Sequence, residues 1–360
     1  MEPPREPKPS VRRFFSPGDV AKFLMRSQNI KYFVLLLIVV ILAFLNESFF
    51  TWRNISNILR QASVLWILGI GMTFVIITKG IDLSVAGVMS LCGCVCAIFL
   101  NKGYAIPIAM GLAILLGMFF GFVNGVLVSQ VGLPPFVATY GVKFIADGLA
   151  LIVMGGNILF GFPPGFRYLG TGFIDFSALT RVFGIEGKSD APMLVLIAFA
   201  LVAAFHIVLS RTKLGRQVFC VGANVAASYY SGIRMKMVLL VAFMLSGTMA
   251  AMGGILQTAR MNAAQAGMGD SFQMLTVACV VMGGTSMSGG EGGIPGTVVG
   301  ALILTLIVNG MNLMGIPPLA QSLITGAVII LAVMLDVQAK KVRLPIKNKE
   351  AAPLSPVPGA

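Results

Sequence analysis

Ten apolar runs, each about as long as a membrane-spanning helix, dominate this chain of 360 residues. A helix needs roughly 20 mainly apolar residues to cross a bilayer. Only 11% of the residues are charged, against roughly 25% in soluble domains. We therefore predict an all-α polytopic membrane protein with about ten transmembrane helices. The predicted spans are residues 31–47, 58–78, 83–100, 104–128, 134–154, 192–210, 237–257, 271–288, 295–313 and 318–336.

The placement of basic residues orients these spans. Most of the 26 Lys and Arg lie in residues 1–31, in 211–236 and after 339. Loops rich in Lys and Arg stay in the cytoplasm, so we expect both termini and the 211–236 loop to be cytoplasmic. The 155–191 segment has balanced charges and is predicted to lie outside. The net charge of +13 is thus explained by membrane topology, and no nucleic-acid partner is expected.

The same charges divide the chain into three parts. Residues 1–30 form a basic cytoplasmic tail that we expect to be disordered, because it is rich in Pro and charge. Residues 31–338 form the transmembrane domain, and residues 339–360 form a second disordered cytoplasmic tail.

Glycine interrupts the apolar pattern once in each half of the chain. The first interruption is 78–84 and the second is 283–293. A pair of glycine-interrupted apolar segments, one in each half, is typical of transporters. Glycines at every fourth position (Gly117, Gly121 and Gly125; Gly296 and Gly300) predict close packing of helices.

Sequence motifs for catalysis are missing. The single histidine, His206, has no second metal ligand at helical spacing, and no Gly-x-Ser-x-Gly or His-Glu-x-x-His string occurs. No phosphate-binding Gly-x-x-x-x-Gly-Lys-Ser/Thr loop occurs either. We therefore expect no enzyme activity, no metal and no cofactor in this chain. Energy for uphill transport would come from an ion gradient or from another subunit.

An ion-coupled carrier needs an ionisable group at mid-membrane, and Asp147 is the best candidate. Lys143 lies four residues earlier on the same helix face, which predicts an ion pair. Lys79 and Asp82 are expected to pair in the same way. Asp147 keeps open the alternative of a stand-alone secondary transporter or channel for a small polar solute.

The central basic loop contains a signal for a short helix. Asn224 is a good N-cap residue, residues 225–230 have room for a short helix, and Gly232 would end it. Two interpretations stand: a docking element for a soluble partner, or an ordinary connection.

Four blocks of this sequence resemble the ribose/xylose/galactoside permease family of bacterial ABC importers. They are residues 71–85, which contain Lys79-Gly80-Ile81-Asp82-Leu83-Ser84; residues 134–141; residues 215–233; and residues 280–297. They occur in the family's order over roughly residues 55–336. Two positions depart from it: Lys79 stands where the family usually has Gly, and Glu291 where a basic residue is usual.

The resemblance implies a bacterial inner-membrane permease that forms the path for a monosaccharide or related polyol. It implies a second permease subunit, expected to be a homodimer partner. A cytoplasmic ATPase with two nucleotide-binding domains would use the ATP, and a periplasmic or lipid-anchored protein would deliver the sugar. The expected ATPase-coupling residues are Gly215, Arg216, Gly222, Asn224, Gly232 and Ile233. The signature and translocation candidates are Gly80, Asp82, Ser84, Phe136, Thr139, Gly283, Gly284, Thr285, Asn309 and Asn312.

Overall fold

The computed structural model describes residues 30–175 and 190–342. Within these ranges the chain is a bundle of α-helices with four very short strands. The first seven helices are α1 Ile30–Leu45, α2 Trp52–Ile77, α3 Val85–Asn101, α4 Ile106–Val126, α5 Pro135–Met154, α6 Pro164–Thr171 and α7 Met193–Arg211. The others are α8 Lys213–Ala223, α9 Val225–Tyr230, α10 Met235–Met261, α11 Asp270–Met282, α12 Ile294–Leu313 and α13 Pro318–Val342.

The core of the bundle lies around α2 and α10. Every residue of α2 from Ala62 onward is buried, which explains why this helix is apolar on all sides. Helix α10 contacts α2, α3 and α4. By contrast, α5 and α7 bury only a narrow stripe of side chains, so a broad surface of each stays exposed.

The predicted glycine stripes do pack helices closely. A side chain at Gly117 or Gly121 of α4 would overlap the backbone of α10. Gly300 of α12 meets the backbone of α11 in the same way, and Gly296 meets the backbone of Gly283 directly after α11. Because glycine adds no side chain, two backbones can approach at each of these positions.

The helices begin and end at residues whose side chains or backbone conformations favour a helix terminus. The Thr51 side chain caps α2 by accepting a hydrogen bond from the Asn54 amide, a common N-cap arrangement. Pro135 starts α5, and Gly155 ends it with a φ of +56°, which glycine adopts without a steric penalty. A 3₁₀ turn, Glu47–Phe50, links α1 to α2, and a π-helical turn, Leu127–Val131, extends α4.

The strands close one end of the bundle in two antiparallel pairs. β1 (Leu159–Phe160) pairs with β4 (Ala263–Ala264), with Leu159 opposite Ala264. β2 (Phe173–Asp175) pairs with β3 (Asp190–Pro192), with Ile174 opposite Ala191. The 155–191 segment, predicted as an outside loop, thus carries β1, α6, β2 and the start of β3; its residues 176–189 lie outside the described ranges.

Each of the ten predicted spans contains a helix, but the helices differ in length. Within the described residues, six are long and apolar enough to cross a membrane: α2, α4 with its π turn, α5, α7, α10 and α12. Helices α1, α3 and α11 are apolar but shorter. The predicted span 271–288 stops at Met282 because the glycine-rich segment that follows forms turns, leaving 13 residues, about 20 Å of helix.

The structure adds helical detail to two of the predicted segments. The 211–236 segment is mostly helical, since it contains α8 as well as the expected α9. Helix α13 continues to Val342, past the predicted end of the transmembrane domain at 338. Of the predicted tails 1–30 and 339–360, residues 1–29 and 343–360 lie outside the described residues.

Candidate functional site

Three segments meet around the carbonyl oxygen of Ile77, at the end of α2. The Gly290 amide donates a hydrogen bond of 2.9 Å to this oxygen. Gly222, near the end of α8, lies so close that a side chain there would overlap the same oxygen. A side chain at Gly289 would reach the carbonyl oxygens of both Ile77 and Gly222. We call Gly222, Gly289, Gly290 and the Ile77 carbonyl the glycine junction; it joins both helix interruptions to the central segment.

Helix α9 follows the glycine junction directly. The Asn224 side chain accepts a hydrogen bond of 3.0 Å from the Ala227 amide, so the predicted N-cap is confirmed. Gly232 has a φ of +71° and lies in the turn that follows the helix, as expected. The outer face of α9 is aromatic, because Tyr229 and Tyr230 are 68% and 86% exposed.

The remaining coupling candidates lie on α8 or beside α9. Gly215 is buried where α8 meets the end of α7, and a side chain there would overlap the Leu209 backbone. The exposed Arg216 donates a hydrogen bond to the Arg211 carbonyl. The Ile233 amide bonds to the Ser228 carbonyl at 3.1 Å. The structure therefore brings all six predicted coupling residues into one region.

That region also contains a cleft. Its volume is about 220 Å³. It is lined by Leu214, Gln217, Gly232, Arg234, Met237, Val238 and Val241. Arg234 lines the cleft, and the basic side chains at 211, 213, 216 and 236 of the same segment are also exposed, so the surface of this segment is positively charged.

A buried polar cluster organises the interruption between α2 and α3. Asp82 is 1% exposed, and its Oδ1 accepts hydrogen bonds from the Ser84 amide and hydroxyl, at 2.9 and 2.6 Å. Asn124 of α4 donates to the Ser84 hydroxyl. Thr139 of α5 accepts from the Leu83 amide at 3.0 Å. These bonds tie α4 and α5 to the interruption that also contains Gly80.

The predicted Lys79–Asp82 ion pair is wrong. Asp82 is bound by Ser84 inside the bundle, whereas Lys79 is exposed and has a φ of +66°. Both ion pairs found among the described residues involve Lys143. Glycine would adopt this positive φ more readily than lysine does.

The second interruption contains Gly283, Gly284 and Thr285. The Lys31 ammonium donates a hydrogen bond of 2.7 Å to the Gly283 carbonyl, which ties the start of α1 to this turn. Gly284 has a φ of +93°. Thr285 is fully buried, and its amide bonds to the Val280 carbonyl at 3.2 Å. The Glu291 side chain is exposed.

The structure does not collect Phe136, Asn309 and Asn312 into one site. Asn309 is buried and exchanges two side-chain hydrogen bonds with Asn54, at 2.8 and 3.2 Å. Asn312 accepts a hydrogen bond from Gln321 of α13. Phe136 lies on the exposed face of α5. No sequence spacing could have revealed this separation.

The predicted pair of Lys143 and Asp147 is confirmed at 2.6 Å. Sequence reasoning missed a third member, Asp270, whose carboxylate lies 3.0 Å from the Lys143 ammonium. Asp270 is the first residue of α11 and lies far from α5 along the chain, so no local pattern connects the two.

Residues 54–333 match the family model described as the permease component of the branched-chain amino acid transport system. The chain belongs to this permease family. It is 35% identical to the ribose import permease protein of Escherichia coli (strain K12), over 91% of this chain and 97% of that protein. It is 36% identical to the D-allose transport system permease protein of the same strain, over 85% of this chain and 90% of that protein.

A third relative is the galactose/methyl galactoside import permease protein of Salmonella typhimurium (strain LT2). It is 32% identical, over 85% of this chain and 92% of that protein. No solved structure matches the chain. The family assignment made from the motifs is therefore confirmed, and this permease is an all-α, multi-pass membrane protein.

Proposed function

We propose that this chain is the membrane-spanning permease subunit of an ATP-driven importer and forms the path for a monosaccharide or related polyol. The observation that carries the proposal is its similarity, over at least 85% of its length, to permeases for ribose, allose and galactosides. The order of helices supports a ten-span topology with both termini in the cytoplasm of a bacterial inner membrane. In that topology the glycine junction, α8 and α9 lie on the cytoplasmic side.

The geometry of α9 supports a docking role for this short helix. Its exposed tyrosines stand on a capped helix, surrounded by basic side chains and fixed to the bundle through the glycine junction. Exposed aromatic residues beside Arg are frequent at the centres of protein interfaces. We propose that an ATPase with two nucleotide-binding domains docks here and supplies all ATP hydrolysis, while this chain has no catalytic site or cofactor.

Two further partners complete the proposed importer. A second copy of this permease would form the other half of the path. A periplasmic or lipid-anchored binding protein would deliver the sugar to the end closed by the short strands. The backbone contacts of the glycine junction suit it to transmit a movement of α9 to both helix interruptions. Closely packed backbone does not deform continuously, so a shift of one segment displaces the segments packed against it.

Reconstitution tests the function directly. The permease, the ATPase and the binding protein are placed in proteoliposomes and supplied with radiolabelled D-ribose, D-allose or D-galactose. We expect uptake of at least one sugar only when ATP is present on the ATPase side. Uptake by the permease alone, driven by an ion gradient without ATP, would instead establish the stand-alone carrier.

Two variants test the docking surface. Tyr230→Ala should reduce co-purification of the ATPase at least fivefold, with Tyr104→Ala, an exposed tyrosine at the other end of the bundle, as the matched control. Gly232→Val should uncouple ATP hydrolysis from uptake while membrane insertion stays intact, because a β-branched residue strongly disfavours a φ of +71°. Normal uptake by Gly232→Val would count against docking at this turn.

A further inference from the structure

Lys143 joins two carboxylates from different helices into a cluster. Its ammonium lies 2.6 Å from Asp147 Oδ2 and 3.0 Å from Asp270 Oδ1. We call these three residues the charged cluster. Two carboxylates and one ammonium leave a net charge of −1, so the ion pairs alone do not neutralise the cluster.

The charged cluster lies at the middle depth of a membrane-spanning helix. Lys143 comes eight residues after the start of α5, which is about 12 Å along a helix of about 30 Å. Asp270 lies at the same depth because it touches Lys143. Its side chain is nevertheless 57% exposed. A carboxylate at this depth is costly in lipid, and such groups face water-filled cavities or protein partners.

The chemistry of the charged cluster favours a neutral hydrogen-bonding ligand. Lys143 already lies between the two carboxylates and takes the place that a metal ion would need. Asp147 Oδ1 is buried and has no hydrogen-bond partner in the structure, which leaves Asp270 as the accessible acceptor. A carboxylate oxygen with free lone pairs accepts hydrogen bonds from hydroxyl groups.

Aromatic rings lie on the same helix as Lys143, which holds this acceptor. Tyr140 and Phe144 of α5 are 45% and 58% exposed and pack edge to face at 4.8 Å. The Lys143 ammonium lies 5.6 Å from the Phe144 ring centre. Ser271, next to Asp270, is also exposed. Apolar rings next to a few polar groups form the usual lining of a small-molecule site. These aromatic and polar side chains suit a molecule that carries hydroxyl groups on a ring with apolar C–H faces.

We propose that Asp270, held by the Lys143 ammonium that also lies beside the Phe144 ring, lines the water-filled path and binds hydroxyl groups of the transported sugar. This inference rests on the proposed function for the identity of the ligand. The exposure of the charged cluster to water can be tested without any sugar.

The first experiment measures water access in the assembled complex. Ser271→Cys is introduced into a Cys220→Ser background, since Cys220 is exposed and the four other cysteines are buried. A membrane-impermeant methanethiosulfonate should label Ser271→Cys at least tenfold faster than Phe199→Cys, an exposed position of α7. Equal labelling rates would overturn the proposal. The proposal would also be overturned if Ser271→Cys stayed unlabelled and instead formed a disulfide between the two copies of the permease. A second copy would then cover the charged cluster.

The second experiment measures uptake of whichever of the three labelled sugars the wild-type complex transports. Asp270→Asn should lower the uptake rate at sugar concentrations well below half-saturation at least tenfold, because a hydrogen bond to a charged acceptor contributes roughly 1.5–3 kcal/mol to binding. Asp270→Glu should retain at least half of the rate, and the sugar should slow labelling of Ser271→Cys. The control is Glu47→Gln, which removes an exposed carboxylate outside the bundle and should have no effect.

Unchanged uptake by Asp270→Asn would overturn sugar binding at the charged cluster. If the wild-type complex transports none of the sugars, the proposed function fails and the sugar assignment fails with it. Rapid labelling of Ser271→Cys would still establish a water-lined face in that case, so the two failures can be told apart.

Discussion

The glycine junction and the exposed face of α5 both contain glycines, but in opposite surroundings. At the junction, a side chain on Gly222 or Gly290 would meet backbone atoms of another segment. On α5, a methyl group added at Gly141 or Gly148 would find only its own helix within 4 Å. The same residue type thus marks backbone contact in one region and empty space in the other.

The two regions suit different tasks. Backbone packed on backbone moves as one body, which a coupling element needs. An open face next to a charged cluster leaves room for a ligand, for water or for a second copy of the permease. The following predictions separate these tasks, beginning with the largest expected effect.

Alanine substitution should separate the two regions most clearly. Gly222→Ala places a methyl group against the Ile77 carbonyl, and we expect a loss of about 3 kcal/mol in the free energy of unfolding, at the upper end of the usual cost of overpacking, since backbone must shift. Gly141→Ala should be neutral or slightly stabilising, because alanine favours helix in open space. Thermal unfolding of both purified variants in detergent checks this, and equal melting temperatures would refute the assignment of the junction as tightly packed.

A new carboxylate should distinguish the exposed face of α5 from that of α7. No charged residue precedes Arg211 in α7, so we expect its exposed face to contact lipid. Phe199→Asp should cost about 3 kcal/mol in membrane insertion and reduce folded protein in membranes more than tenfold. Phe144→Asp places its carboxylate next to Lys143 and should keep at least half of the wild-type amount. A similar loss in both variants would show that α5 also faces lipid.

Local sequence signals predicted the features that depend on neighbouring residues. The apolar runs located every long helix, Asn224 predicted the cap of α9, and the spacing of Lys143 and Asp147 predicted their ion pair. Helix α8 was missed, although its buried residues Val218 and Val221 lie three apart and have a helical spacing.

Features that depend on distant residues could not be predicted in this way. Asp270 reaches Lys143 only after α11 packs into the bundle. Asp82 was assigned to Lys79 because they are close in sequence, but folding buries Asp82 with Ser84 and leaves Lys79 at the surface. The glycine junction likewise joins three segments that no periodicity connects. Local pairing rules fail where a helix interruption turns one side chain inward and its neighbour outward.

Removing the shared cation should destabilise the open region by an intermediate amount. In Lys143→Met, Asp147 and Asp270 lose their common partner, and we expect a loss of about 2 kcal/mol, below the usual range for fully buried pairs because Asp270 is half exposed. Lys143→Arg preserves the charge and should lose less than half as much. Denaturant or thermal unfolding of the two variants provides the measurement. A fully stable Lys143→Met would mean that water alone satisfies both carboxylates.

The smallest expected effect lies at the edge of the glycine junction, at Lys79. A non-glycine residue in the left-handed region costs roughly 1–2 kcal/mol, whereas glycine loses roughly 0.5–1 kcal/mol more in chain entropy. Lys79→Gly should therefore raise the free energy of unfolding by about 0.5 kcal/mol. Asn262→Gly is the contrasting variant: Asn262 also has a positive φ, of +52°, but its side chain accepts a hydrogen bond of 3.2 Å from the Phe162 amide, so its loss should make this variant less stable than the wild type. A less stable Lys79→Gly would show that the lysine stem, which reaches the space beside Gly289, contributes more by packing than its backbone costs, so that the junction is held partly by a side chain.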